Sequence, residues 1–310
     1  MRKFFFRKQE TSAIHHAVVV ADRELTPLNL QSVDFQPNNT SKDVEEKKRE
    51  WLHKELHGRH PNELQQSYVD KTASNWWLSS GDLFGETEGF MIAIQDQVIH
   101  TKNYAKHIIK DQNVKNDTCR RCHQASETIQ HITGACPSLA QTEYLKRHNQ
   151  VCNIVHQELA LRSGLIVEHV PYYKYKAEPV VENTRYKIYY DRVIITDKEI
   201  ANNRPDIVIH DKQERATYLI DAAVPNNNNL QKTHQEKLSR YQELAEEIKQ
   251  MWKSNKVTIV PVILSSTGII PIHLREALNQ LKFEKPELMI QKMQKSVILR
   301  TCHMTRKFLA

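Results

Sequence analysis

Cys119, Cys122, His131 and Cys136 fall at the spacing Cys-x2-Cys-x8-His-x4-Cys, and this cluster limits the possible folds more than any other stretch. Two thiolates separated by two residues form a tight turn that grips one side of a tetrahedral ion. A histidine and a third thiolate from the following segment then close the shell. Four protein ligands leave no open position, so the spacing predicts a structural Zn2+ knuckle rather than a hydrolytic centre. The competing interpretation is three buried free cysteines beside a chance histidine. His123 is a second candidate ligand, awkwardly placed next to Cys122. Arg120, Arg121 and His123 flank the knuckle and are candidates for phosphate contact. The chain has five cysteines, an odd count, which fits metal ligation in a reducing compartment better than a disulfide framework.

With 310 residues the chain has room for two modest domains, or for one domain with a long helical extension. Hydrophobic residues make up 39% and charged residues 26%, the balance of a globular protein and not of a disordered one. Seven glycines are too few to suggest a glycine-rich nucleotide-binding design. The formal net charge of +7 favours polyanionic partners, as supporting information only. The apolar start Met1-Arg2-Lys3-Phe4-Phe5-Phe6 is interrupted by Arg7, Lys8 and Glu10 before a signal-peptide core can form. The uncharged run from Val257 to His273 contains Pro261, Gly268 and Pro271, and reads as strand, turn and helix start. These features predict no membrane segment and a nuclear or cytoplasmic location.

Residues 1–35 give little local signal. Ser41 to Leu56 reads as a helix, with Ser41 as N-cap and acids in the first turn. Two further helical stretches follow, Asn62 to Leu78 and Glu86 to Lys110, and the tryptophans of this region are expected in the core. A helix from Tyr144 to Arg162, closed by Gly164, follows the knuckle. The chain then changes character. Val180 to Thr196 is rich in β-branched residues and tyrosine, and Pro205 to His210 and Thr217 to Val224 read as strands joined by a polar turn. Leu230 to Trp252 reads as one long charged helix, Val257 to Leu264 as a buried strand, Pro271 to Leu281 as a helix and Glu287 to Phe308 as a basic amphipathic helix. Alternating strands and helices predict an α/β layer in the second half.

Arg204-Pro205-Asp206 opens one predicted strand and Asp221 lies in the next. A hairpin turning near Lys212 and Gln213 brings position 221 opposite positions 204–206. Two carboxylates then meet at one end of the hairpin, a natural seat for Mg2+, which prefers hard oxygen ligands. A bound ion can polarise a scissile phosphate and lower the pKa of an attacking water. Lys237 and Tyr241 lie one helical turn apart and share a face of the next helix. A lysine directed at the acids could position the water or offset charge in a transition state. Residue types and spacing alone favour a plainer interpretation, with Asp206 ending a strand and Lys237 exposed. Asp221 resists it, because an acid inside Tyr218-Leu219-Ile220-Asp221-Ala222-Ala223-Val224 is costly to bury without a partner or a metal.

Together these residues resemble the C-terminal region of non-LTR retrotransposon (LINE-type) polyproteins that encode a restriction-like endonuclease. The cysteine cluster resembles that family's CCHC knuckle upstream of the nuclease. Arg204-Pro205-Asp206, followed fifteen residues after the aspartate by Asp221, is similar to the family's PD-x(12–14)-D/E motif, and Lys237-Leu238-Ser239-Arg240-Tyr241 to its lysine and tyrosine on the next helix. In the wider PD-(D/E)xK class the lysine lies two residues after the second acid, where this chain has Ala223, so the resemblance assigns that role to Lys237. Ala13-Ile14-His15-His16-Ala17, Thr87-Glu88-Gly89 and Gln95-Asp96-Gln97 resemble the linker that follows the reverse transcriptase in these elements. No Phe/Tyr-x-Asp-Asp polymerase signature occurs, and Asn226 to Asn229 stand where relatives carry an acid.

The resemblance implies an α/β fold with a mostly helical N-terminal region, residues 1–112, and a CCHC zinc knuckle, residues 113–140. A restriction-endonuclease-like αβββαβ core then covers residues 141–285, ahead of a basic C-terminal helix, residues 286–310. It implies Mg2+- or Mn2+-dependent nicking of double-stranded DNA, with RNA as a further polyanionic partner. Asp206 and Asp221 would hold the ion, Lys237 would assist the water or the transition state, and Tyr241 would orient the phosphate or the lysine. Arg204, Arg120 and Arg121 would hold the backbone. Two rival expectations are a binding module that has lost cleavage and a decayed element fragment.

Overall fold

The computed structural model describes residues 41–310. The motif Ala13 to Ala17 and the N-cap role proposed for the Ser41 side chain fall outside the described features. The chain divides into two units, Met1–Lys48 and Arg49–Ala310, and the helix Ser41–Leu52 (α1) runs across the boundary between them. Everything below concerns the second unit.

Its architecture is α/β, built on a five-stranded mixed sheet in the order β1 (Val180–Glu182), β2 (Tyr186–Tyr190), β3 (Ile207–Asp211), β4 (Ala216–Ala223) and β5 (Lys256–Ile263). The first three pairings are antiparallel, and β5 joins β4 in parallel. A parallel pair needs a crossover, supplied here by two helices, Leu230–Arg240 and Gln242–Met251. Alternation along the strands divides the core. Ile207, Ile209, Ile220 and Ala222 face a cluster built on the helix Leu145–Arg162 and the helix Ile272–Gln280. Val208 and Leu219 face the crossover helices through Tyr241, Leu244 and Ile248. β4 is thus covered on both faces, which is why a charged residue in it, Asp221, is only 3% exposed.

We number the helices that matter below in chain order: α2 Lys71–Ser80, α3 Gly85–Gln95, α4 Ile129–Gly134, α5 Leu145–Arg162, α6 Leu230–Arg240, α7 Gln242–Met251, α8 Ile272–Gln280 and α9 Pro286–Leu309. The second and third helical stretches expected upstream are each interrupted. Asn62 to Leu78 becomes a short turn, Arg59–Glu63, and α2, which begins where Asp70 caps it by accepting from the Ala73 N–H at 2.9 Å. The stretch after Glu86 breaks behind α3 at Gln97, which takes a left-handed φ of 62°, and resumes at Thr101, whose hydroxyl caps the next turn. Trp77 is core, Trp76 half-buried and Trp51 exposed.

The C-terminal helix, expected as a separate basic segment, is a central support. Its Met289, Met293 and Val297 enter the sheet core, and Ile298 and Cys302 meet Trp77, Met91 and Ile94. Met304 and Phe308 pack on Cys119, Ile132 and Cys136. Of its buried polar residues, Ser296 and Thr301 donate through their hydroxyls to the Gln150 side chain at 2.9 Å and the Ser266 carbonyl at 2.8 Å, while the Thr305 hydroxyl and the Gln294 side-chain oxygen are buried without a partner among the described residues. The Gln294 amide donates to the carbonyls of Ala73 at 2.9 Å and Gly268 at 2.7 Å. Gly268 has a φ of 90°, a backbone conformation that side chains rarely adopt, so the turn after β5 favours glycine, and a Cβ there would also sit tightly, 3.1 Å from the end of the Ile298 side chain.

Candidate functional site

Two groups of side chains in this unit can take a metal ion. The first is the knuckle. An isolated bridge, Thr118 with Ser126, closes a tight turn that carries Cys119 and Cys122, with His123 left-handed at its tip. Thr128 caps α4 by accepting from the His131 N–H at 3.1 Å, which fixes His131 in the first turn. Cys136 follows the end of α4. The four ligand atoms of Cys119, Cys122, His131 and Cys136 lie within 4.8 Å of one another. Cys119 Sγ is 3.9 Å from Cys136 Sγ, and Cys122 Sγ is 3.3 Å from His131 Nε2. Edges of about 3.3–3.8 Å follow from Zn–S and Zn–N bonds in a tetrahedron. The donor set and its dimensions therefore suit a structural ion such as zinc.

The arginines beside the knuckle hold it in place. Arg120 forms a two-pronged bond to the buried Glu127 carboxylate, at 2.7 and 2.9 Å, and donates to the Leu309 carbonyl at 3.2 Å. Arg121 donates to the Lys307 carbonyl at 2.9 Å, and both guanidiniums lie over the Phe308 ring. Positive charge at the last turn of α9 also complements its dipole. Two arginines expected at phosphates thus cap the C-terminal helix.

The second group lies at one end of the sheet. The register Ile207 with Ile220 puts Asp206 and Asp221 at the next position outward, as the hairpin geometry predicts. Asp206 accepts from the Ala222 N–H at 2.7 Å and from His148 Nε2 at 3.0 Å. Asp221 receives the Lys237 ammonium from α6 on Oδ2 and the Tyr241 hydroxyl on Oδ1 at 3.3 Å. The long helix expected over Leu230 to Trp252 is two helices, α6 and α7. They meet at Tyr241, whose φ of −106° and ψ of 10° leave helical geometry while its ring turns inward. The same hydroxyl reaches the Arg204 carbonyl at 3.3 Å. The Arg204 guanidinium stays outside, paired with Asp191 at 2.8 Å.

Asp206, Asp221, Lys237 and Tyr241 are therefore brought together. Burial pushes the Asp221 carboxyl up, the nearby Asp206 charge adds to this, and Lys237 only partly offsets them, leaving it at about 6. Burial opposes ionisation of Asp206 too, but the His148 imidazole and the Ala222 N–H outweigh it and hold this carboxyl below its ordinary range. Burial alone would lower His148, yet the Cys152 sulfur and Asp206 raise it well above a free histidine. Desolvation and the two carboxylates raise the Tyr241 phenol.

Two members of this group were missed. His148 and Cys152, on α5, come within 4.8 Å of Asp206 with the atoms that would bind a metal. The sequence held only half of their signal: His148-x3-Cys152 puts both on one face of a helix, but nothing in it points that face at Asp206. Among the described residues no helix is long and apolar enough to cross a membrane. In comparisons with known proteins, the chain matches no family model and no curated protein.

Proposed function

We propose that the chain is a metal-dependent endonuclease that nicks double-stranded DNA, with Asp206 and Asp221 as ion ligands and Lys237 and Tyr241 as their working partners. One observation carries this reading. A carboxylate pair at a strand end, a half-buried lysine and a buried phenol converge from three separate elements, although charges are withdrawn from water only where something compensates them. The sequence order of helix α5, antiparallel strands, crossover helices and parallel strand β5 supports a restriction-like core.

The two carboxylates suit a hard divalent ion such as Mg2+ or Mn2+, which when bound would polarise the scissile phosphate and ease deprotonation of the attacking water. Lys237 sets the position of Asp221 and offers a positive charge where negative charge builds up on phosphate oxygens. Tyr241 bridges Asp221 to the Arg204 carbonyl and so fixes the carboxylate against the strand carrying Asp206. Arg204 lies exposed beside this end, available to a DNA backbone, and the net charge of +7 suits such a partner.

The test is nicking of supercoiled plasmid by the purified chain with Mg2+ or Mn2+, beside Asp221→Ala and Lys237→Ala. The wild type should nick. Asp221→Ala should remove activity, and Lys237→Ala should lower it about 10²–10³-fold with binding retained. A folded, zinc-loaded chain that does not nick overturns the proposal.

A second reading, a nucleic-acid binder without cleavage, draws on a different observation. Lys237 and His148 each already partner one of the two carboxylates, so the cluster is electrically balanced without an ion. Strongly salt-dependent binding without nicking would favour it.

A further inference from the structure

The acidic cluster contains more ligand chemistry than two carboxylates. His148 Nε2 is 3.0 Å from Asp206 Oδ2, and Cys152 Sγ is 3.7 Å from the same nitrogen. A tetrahedral ion with bonds to oxygen, nitrogen and sulfur would separate these donors by about 3.3–3.6 Å. The knuckle of this same chain shows comparable spacings, 3.3 and 3.9 Å. We propose that His148, Cys152 and Asp206 form a second metal site, next to Asp221, which takes a borderline transition-metal ion of the Zn2+ or Co2+ kind in preference to Mg2+.

Three further features fit a ligand role. His148 Nδ1 is 3.1 Å from the Asn149 side-chain oxygen, so a proton held on Nδ1 leaves Nε2 free to bind. Asp206 is oriented by the Ala222 N–H, a backbone donor that keeps its place when the ion enters. His148 is partly open to solvent while Cys152 is only 1% exposed, which gives the ion an entry on one side and a sulfur at the back. Without the ion, a proton bridges His148 and Asp206; binding releases that proton and the thiol proton to solvent. The hard-ion expectation came from two aspartates alone. Thiolate and imidazole shift the preference toward softer ions, since Mg2+ binds almost wholly through oxygen.

The inference rests on the nuclease reading only for the ion's role in hydrolysis; the site itself rests on the donor geometry. The test is Co2+ titration of the full chain with its knuckle already filled by Zn2+, which holds a thiolate site more tightly than Co2+ does. The expected result is one further Co2+ per chain, with a thiolate-to-cobalt charge-transfer band and no displacement by excess Mg2+. Cys152→Ala should remove the band, and His148→Ala should weaken Co2+ binding more than about tenfold. His148 lies nearer the surface than Cys152, so its variant keeps the test informative if Cys152→Ala folds poorly. No second equivalent, a band that persists in Cys152→Ala, or ready displacement by Mg2+ overturns the proposal. Mg2+-dependent nicking that both variants retain would overturn the site's role in hydrolysis while sparing the nuclease. Co2+ bound as expected, without nicking by any ion, would do the reverse.

Discussion

The knuckle and the acidic cluster both gather metal-ligating side chains, and they do so by opposite means. The knuckle draws all four ligands from residues 119–136, and its shell is closed by the chain itself. The acidic cluster draws on α5, the ends of β3 and β4, and the α6–α7 junction, and its members carry charges that must be balanced. A short closed shell can hold structure together. A shell assembled across long sequence distances needs the rest of the fold in place first, and keeps polar groups poised in return. An ion held at the first would therefore be needed for folding, whereas one held at the second could leave without unfolding the chain.

The largest expected effect follows from that difference. Cys136→Ser opens the knuckle beneath Met304 and Phe308, so the loss should reach the C-terminal helix and not stay local. A destabilisation above about 3 kcal/mol is expected, given what structural zinc contributes to small domains. Denaturant unfolding with and without a strong chelator measures it. Chelator-insensitive unfolding of the wild type would remove zinc from the structural account.

The two clusters also differ in how far the sequence revealed them. The knuckle was legible because its ligands are neighbours in the chain. Asp206 and Asp221 were legible because a short polar turn fixes the register of a hairpin, and Ile207 indeed pairs with Ile220. His148 and Cys152 were not, since only the packing of α5 on the sheet brings them to Asp206. The break at Tyr241 was hidden for a related reason. Helical propensity runs through it, and burial of its ring against Asp221 overrides that propensity. The C-terminal helix read as basic and amphipathic, yet Gln294, Ser296, Thr301 and Thr305 are all fully buried. Polar residues inside a core look like surface in a sequence, whether they find partners, as Ser296 and Thr301 do, or not, as with Thr305. Arg120 and Arg121 show the same limit: positive charge next to a knuckle suggests phosphate, and the sequence does not reveal that both also donate to helix carbonyls.

Arg147 links the two clusters and gives the next largest effect. Its guanidinium is buried, and donates to the Thr133 carbonyl of α4 at 2.8 Å, the Val224 carbonyl beyond β4 at 3.2 Å and the Thr301 hydroxyl of α9 at 3.0 Å. Burial pulls its pKa down to about 10, so it stays charged at neutral pH. Asn226 supports the same junction by accepting from Thr133 at 3.1 Å and donating to the Gln130 carbonyl at 3.0 Å. Arg147→Ala leaves several buried acceptors without a donor and should cost about 2–4 kcal/mol. Hydrogen exchange should quicken in both α4 and the end of β4. Faster exchange on one side only would mean that the clusters are mechanically independent.

The smallest effect isolates the sheet from any metal. Asp211 closes the turn between β3 and β4, at the opposite end of the hairpin from Asp206 and Asp221, by accepting the N–H groups of Gln213 and Glu214, each at 3.0 Å. Arg185 adds an ion pair at 3.0 Å, which counts for little because the arginine is largely open to water. Burial opposes the charged form, but Arg185 and the two backbone donors outweigh it and lower the Asp211 pKa from 3.8. A carboxyl depressed in the folded state contributes stability that is complete above its unfolded pKa and vanishes as pH falls through the folded value. Asp211→Asn should therefore cost about 1 kcal/mol at neutral pH. The gap from the wild type should close as the medium is acidified below pH 3.8, the ordinary value for this carboxyl. Acid would also strip an ion held at the knuckle, but it would do so from both proteins, so their difference reports the turn alone. A gap that stays constant to low pH would mean that the Asp211 charge adds nothing, and that the neutral amide fails for shape alone.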